Sequence, residues 1–164
     1  MDRRIVTLIT ASVLLAAIVV VVLVAGNGDD SDKNSGGEIS KDLSTKPVIA
    51  ASSDLPTSLE TKDIVEGEGP AAKDGDTLTM QYVGVVTETG KEFDASWTSG
   101  QPFEFELGAG GVIKGWDEGI KGMKVGGRRE LIIPPDLAYG AAGSPPDIPA
   151  NATLTFVVDL TDIK

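Results

Sequence analysis

"VIKGWDEGIKGMKVGGRRELII", Val112 to Ile133, holds two periodicities in succession. In its first half Ile113, Trp116, Ile120 and Met123 recur at helical spacing, while Lys114, Asp117 and Lys121 fall off that stripe. The pattern predicts one short amphipathic helix over Val112–Met123. Gly126-Gly127 comes next, where helices commonly stop, and Arg128–Ile133 then reads as a strand. By propensity the helix is poor. Glycines stand at 115, 119 and 122, and each costs about 1 kcal/mol relative to alanine in a helix interior. Taken alone, Trp116 on such a stripe is a core residue.

Strands surround this helix on both sides. From Leu59 the pattern turns strand-like, and in Thr77–Val86 Leu78, Met80 and Tyr82 alternate with Thr77, Thr79 and Gln81, which predicts a half-buried strand. Thr89-Gly90 is a hairpin turn signal. Phe103, Phe105 and Leu107 alternate with Glu104 and Glu106 in Pro102–Leu107, and Leu154, Phe156, Val158 and Leu160 share one face of Thr153–Leu160. Pro134–Asn151 is too rich in proline for a ladder. These elements predict an α+β domain, a twisted antiparallel sheet with a single short helix on its concave face.

Composition narrows the chemistry. The chain of 164 residues has no cysteine and no histidine, so disulfides, thiol nucleophiles, thiolate metal sites and the commonest general base are all excluded. No metal site and no cofactor is expected. Every aromatic residue lies between Tyr82 and Phe156, which places the core there. From Ser52 onward nine Lys/Arg face nineteen Asp/Glu, a net charge of −10. Such a domain repels a phosphate backbone, so nucleic acid is not an expected partner.

The N-terminus has a different character. "MDRR" precedes Ile5–Gly26, a run without charge. As a helix at 1.5 Å per residue it is long enough to cross a hydrocarbon core of about 30 Å. Arg3 and Arg4 before it, with Asp29, Asp30 and Asp32 after it, leave the N-terminus in the cytoplasm and the remainder outside. The expectation is an exported protein held in the membrane through residues 5–26. Cleavage near Asn27 and secretion is the alternative, and "LVAGN" resembles a lipoprotein signal with asparagine at the cysteine position. Residues 1–26 are thus read as signal or anchor. Residues 27–55, rich in Ser, Asp and Gly, are read as a flexible linker, and residues 56–164 as the folded domain.

Three segments carry a family resemblance: "YVGVVTETGKEFDAS", "QPFEFELGAGGVIKGWDEGIKGMKVGGRRELIIPPDLAYG" and "IPANATLTFVVDL". In register over about Pro56 to Lys164, the chain resembles the FKBP-type peptidyl-prolyl cis-trans isomerases, in a bacterial, exported, single-domain form. The resemblance implies a five- or six-stranded antiparallel sheet wrapped around one short helix. It makes Trp116 a pocket floor, with Tyr82, Phe93, Phe103, Val112, Ile113, Ile148 and Phe156 as walls. Asp94 and Tyr139 become polar groups at the rim, and the Ile113 N–H a donor to a bound carbonyl. The glycines at 115, 119 and 122 then serve close approach by the sheet. Leu137, Ser99, and Ser144 and Asp147 in the proline-rich flap (Pro134–Asn151) depart from the family pattern, at positions that bear on flap specificity and rim electrostatics.

The implied activity is rotation of X–Pro bonds in exported or cell-envelope polypeptides by a monomer. Macrolide-type inhibitors are further ligands that the resemblance implies. A binding or chaperone module using the same pocket without catalysis is the alternative. A serine hydrolase is disfavoured, because no base partner or nucleophile elbow is visible.

Overall fold

Alternation along the chain becomes a sheet in which every strand is antiparallel to the strands it pairs with. The computed structural model describes residues 37–164; the apolar run Ile5–Gly26 lies outside the described residues. The strands are β1 (Glu60–Val65), β2 (Thr77–Val86), β3 (Lys91–Ala95), β4 (Phe103–Glu106), β5 (Arg128–Ile133) and β6 (Leu154–Ile163). A four-residue helix α1 (Ser96–Ser99) follows β3, and α2 (Lys114–Gly119) lies between β4 and β5. The sheet order is β1-β5-β6-β2-β3, all antiparallel, with β4 also on β2. β2 is the organising strand. Its first half pairs with β4 and its second with β3, while β6 runs along its other edge. The six-stranded α+β architecture is the expected one.

Side chains of β2 divide by parity, as a pleated strand requires. Leu78, Met80 and Val86, with Tyr82 at the margin, enter the main core beside Trp116, Ile120, Leu131, Ile133, Leu154, Phe156 and Val158. Fully burying each such aliphatic group contributes about 1.5–3 kcal/mol. Val83 and Val85 point the other way, into a second cluster with Ala95, against which Ile49 and Trp97 pack. β2 is therefore buried on both faces, where the alternation predicts only one. Thr79 is also covered.

The second face is closed by residues of the supposed linker. The expectation of a free tether over 27–55 does not hold for residues 39–52. Ile39 and Pro47 are buried, Ser52 N–H donates to the Thr87 carbonyl at 2.9 Å, and Lys46 pairs with Glu92 at 2.8 Å. Low apolar content suggested disorder; the attachment instead runs largely through backbone carbonyls and a buried arginine, which composition does not register.

The helix is also shorter than its stripe. α2 spans six residues, with Val112 and Ile113 ahead of it and Ile120 as its C-cap. Gly122, at φ +80°, turns the chain, so the helical register ends before Gly126-Gly127. Its two inward glycines meet β5 directly. A Cβ on Gly115 would lie 2.4 Å from Ile133 Cγ2, and one on Gly119 would lie 2.8 Å from Leu131 Cδ2. Gly122 faces open space, so its role is the positive φ and not close approach. β6 runs to Ile163, three residues past the predicted Leu160.

Candidate functional site

Strand register and the helix bring the site aromatics together from five elements, β2, β3, β4, α2 and β6. In β2–β6 pairing, Tyr82 stands opposite Val158 and Gly84 opposite Phe156. Glycine at 84 is required by volume: a Cβ there would fall 2.6 Å from Phe156 Cε1 and 2.8 Å from Phe93 Cζ. Phe93 itself sits at an irregularity of the β2–β3 ladder, between the pairs Val85–Glu92 and Gly84–Asp94. An extra residue of this kind bends a strand and re-aims its side chain. Phe103 and Phe105 come from β4, and α2 inserts Trp116.

Trp116 is the hub of the cluster. Its ring centroid lies 5.2 Å from Tyr82, 5.3 Å from Phe156, 5.6 Å from Phe105 and 6.0 Å from Phe103. The contacts with Tyr82, Phe156 and Phe103 are edge-to-face, the arrangement that ring quadrupoles favour. Phe93 joins through Phe156 at 5.6 Å. Trp116 and Phe156 are each 4% exposed and Phe103 is 38% exposed, so the rings grade from floor to surface. Ile148 is buried in the same cluster, and Val112 and Ile113 are partly buried against it. The indole Nε1 of Trp116 is buried with no hydrogen-bond partner among the described residues.

Polarity is confined to the rim. Tyr82 Oη donates to Asp94 Oδ2 at 2.5 Å, a charge-assisted bond of the short kind. Burial chiefly, then this bond and the Asp94 charge, hold the Tyr82 phenol well above its ordinary range. Tyr139, 41% exposed, adds a smaller push of the same sign. Ser99 Oγ turns back to the Ser96 carbonyl at 2.9 Å. Among the described residues Asp94 has the Tyr82 hydroxyl as its side-chain hydrogen-bond partner. Asp147 of the flap faces Lys91 of β3 at 3.7 Å. The flap is closed on itself by paired backbone bonds between Ser144 and Ile148, at 2.9 and 3.0 Å. Leu137, in a short 3₁₀ turn, packs against the core.

Residues singled out in the sequence thus converge, with Val112, Ile113 and Ile148 beside the rings and Asp94 tied to Tyr82. Two contributors were not singled out. Phe105, read only as core, stacks on Phe103 at 5.7 Å and touches Trp116. Gly84 makes room for Phe93 and Phe156, and its signal was a lone glycine inside an otherwise apolar strand. No group of three or more acidic, histidine or cysteine side chains that could hold a metal occurs among the described residues.

A sequence model of the FKBP-type peptidyl-prolyl cis-trans isomerase family matches residues 69–161. An FK506-binding protein of Streptomyces anulatus is 57% identical over 109 residues, covering 66% of this chain and 88% of that protein. The isomerase FkpA of Escherichia coli is 50% identical over 108 residues, which are 66% of this chain but only 38% of FkpA. The crystal structure of FkpA superimposes with a TM-score of 0.60 at 48% identity, over 68% of this chain and 51% of that one. Ring cluster, sheet order and sequence agree, and the chain belongs to the FKBP-type peptidyl-prolyl cis-trans isomerases.

Proposed function

We propose that the aromatic cluster is the pocket in which this isomerase holds the proline of an exported or cell-envelope polypeptide while the preceding amide rotates. The single observation that carries the reading is Trp116 at the centre of a graded ring cluster, buried at its floor and open at Phe103. Rotation of an amide breaks its resonance, at a barrier of about 18–20 kcal/mol. Uncatalysed X–Pro isomerisation therefore takes about tens to hundreds of seconds. The twisted amide has less charge separation than the planar one, so an apolar cleft favours it relative to water. Each ~1.4 kcal/mol of that preference gives a tenfold rate.

Tyr82, Phe93, Trp116 and Phe156 supply the apolar surround, with Phe103, Val112, Ile113 and Ile148 holding the ring and its neighbours. The Ile113 N–H donates to no acceptor among the described residues, which suits it to a bound carbonyl. Asp94 and Tyr139 orient the peptide without moving a proton. FK506-type macrolides fit the same pocket, as the name of the Streptomyces relative suggests.

A coupled isomerisation assay on X–Pro peptides tests the reading: the full chain should accelerate exchange, and a pocket ligand should inhibit it. Absence of rate acceleration in folded, ligand-binding protein would leave the non-catalytic binding module. Export rests on Ile5–Gly26 and its flanking charges. In fractionated cells the protein should pellet with membranes and be digested by protease added outside; recovery in the soluble cytoplasm would refute it, and a shortened soluble form outside would favour cleavage.

A further inference from the structure

Residues 39–52 lie against the face of the sheet opposite the pocket, and the isomerase reading leaves them without a task. Their first attachment is Arg128, whose side chain is 0% exposed. Nη1 donates to the carbonyls of Ser40 at 2.6 Å and Asp42 at 3.2 Å, and Nη2 to that of Thr45 at 3.0 Å. Nε and Nη2 grip Asp159 at 2.6 and 2.7 Å. A guanidinium has five N–H donors, and these bonds occupy its whole fork. Arg128 and Asp159 stand opposite each other in the β5–β6 register, so the segment is fastened to two central strands.

A local turn shapes the carbonyls to that fork. Asp42 Oδ1 accepts from Ser44 N–H at 2.9 Å and from Ser44 Oγ at 2.7 Å, while Thr45 N–H donates to the Asp42 carbonyl at 3.3 Å. Beyond the turn the segment reaches the β2–β3 hairpin, bonds it in two places and lies close against it at a third. Lys46 Nζ pairs with Glu92 at 2.8 Å, Ser52 N–H bonds the Thr87 carbonyl at 2.9 Å, and Ala51 N lies where a Cβ on Gly90 would come within 2.9 Å. Ile49 packs on Val83, Val85 and Ala95 beneath the same hairpin.

What the hairpin carries gives these contacts a purpose. Phe93 is the residue left without a ladder partner where the β2–β3 register shifts, and Asp94 next to it binds Tyr82. At such a shift the extra residue is left unpaired and the ladder is locally disrupted, so the ladder's own bonds do not fix Phe93. We propose that residues 39–52 form a strap that positions the hairpin, and with it Phe93 and Asp94, for catalysis. The proposal rests on the isomerase reading above.

The test uses the full chain and begins with the unaltered protein, whose inactivity would overturn the isomerase reading itself. Lys46→Glu sets two carboxylates against each other at the hairpin, and Ile49→Asp disrupts the packing beneath it. Each should lower kcat/KM by about threefold to tenfold, mainly through KM, in protein that remains folded by thermal melting and keeps its ligand-induced Trp116 emission change. Lys46→Glu with Glu92→Lys restores the pair in reverse and should recover most of the loss. Unchanged kcat/KM in both single variants would overturn the proposal. So would a loss that merely tracks the unfolded fraction, or a charge reversal that restores nothing.

Discussion

At the scale of single residues, Trp116 is the group on which most depends, since Tyr82, Phe103, Phe105 and Phe156 all meet its ring. Trp116→Ala should destabilise the domain by about 3–5 kcal/mol as a large-to-small core change, and should lower kcat/KM further than Asp94→Val does. Emission separates the two tryptophans. A pocket ligand should still change the emission of Trp97→Phe and lose most of that effect in Trp116→Phe; the reverse would move the floor elsewhere. Gly84→Ala puts a methyl into space that Phe93 and Phe156 occupy. Overpacking of this kind costs about 1–3 kcal/mol, and steady-state kinetics should show a disproportionate loss of kcat/KM because the displaced rings are those of the site.

Tyr82 also decides a pH dependence. Its folded-state pKa is raised, by burial first, above the ordinary 10.0. The neutral phenol is thus the form the fold favours. The stability it contributes is complete below about pH 10 and is lost as pH rises from there toward the folded value. Melting temperature followed from pH 8 to 11 should fall more steeply in the unaltered chain than in Tyr82→Phe. Activity, in contrast, should be nearly flat between about pH 6 and 9, because the ordinary pKa values of carboxylic acids and phenols lie outside that range. A bell-shaped rate profile would mean acid–base chemistry that an apolar pocket does not need.

Among the elements, α2 explains why a weak helix carries the hub. Its frame is held by β5 and not by propensity. Gly115 meets Ile133 at its branched Cγ2, close to the backbone, whereas Gly119 meets the far end of Leu131. Alanine would gain about 1 kcal/mol of helix propensity at either site. The steric cost should exceed that gain at 115 and nearly cancel it at 119. Urea denaturation of Gly115→Ala and Gly119→Ala should therefore rank 115 as the more destabilised; equal stability would show that the helix can shift away from the sheet. Asp117 supports the same region from outside, accepting Gly108 N–H at 2.9 Å and Gly110 N–H at 3.2 Å, which fixes the turn leading from β4 to Ile113.

Across the whole described chain, the sheet separates two dependent systems. One face carries the aromatic cluster around Trp116, and the other carries the buried Arg128–Asp159 pair under the strap. Asp159→Ala would leave the guanidinium without its carboxylate. Breaking one side of a buried pair costs about 3–5 kcal/mol, so chemical denaturation should show a loss of that size. Replacing both residues by apolar groups of similar volume should cost less, since no uncompensated charge remains. A chain begun at Ser53 would omit the strap and should melt lower than one begun at Lys33.

Period-two alternation in Thr77–Val86, Phe103–Glu106 and Leu154–Leu160, with the Thr89-Gly90 turn, was sufficient for the antiparallel α+β sheet, because burial on a pleated face imposes that spacing on the residues themselves. The aromatic set was legible only as core; its grouping into one pocket came through the resemblance, and the structure brings the same rings together. Tertiary structure alone decided the rest. The helix stops at Gly119 because β5 holds its glycines and Gly122 turns away, which the stripe continuing to Met123 does not reveal. The Tyr82–Asp94 bond joins neighbouring strands through a register that holds an extra residue. The strap was hidden for a deeper reason: its grip on Arg128 is made by the carbonyls of Ser40, Asp42 and Thr45, and every residue has the same carbonyl.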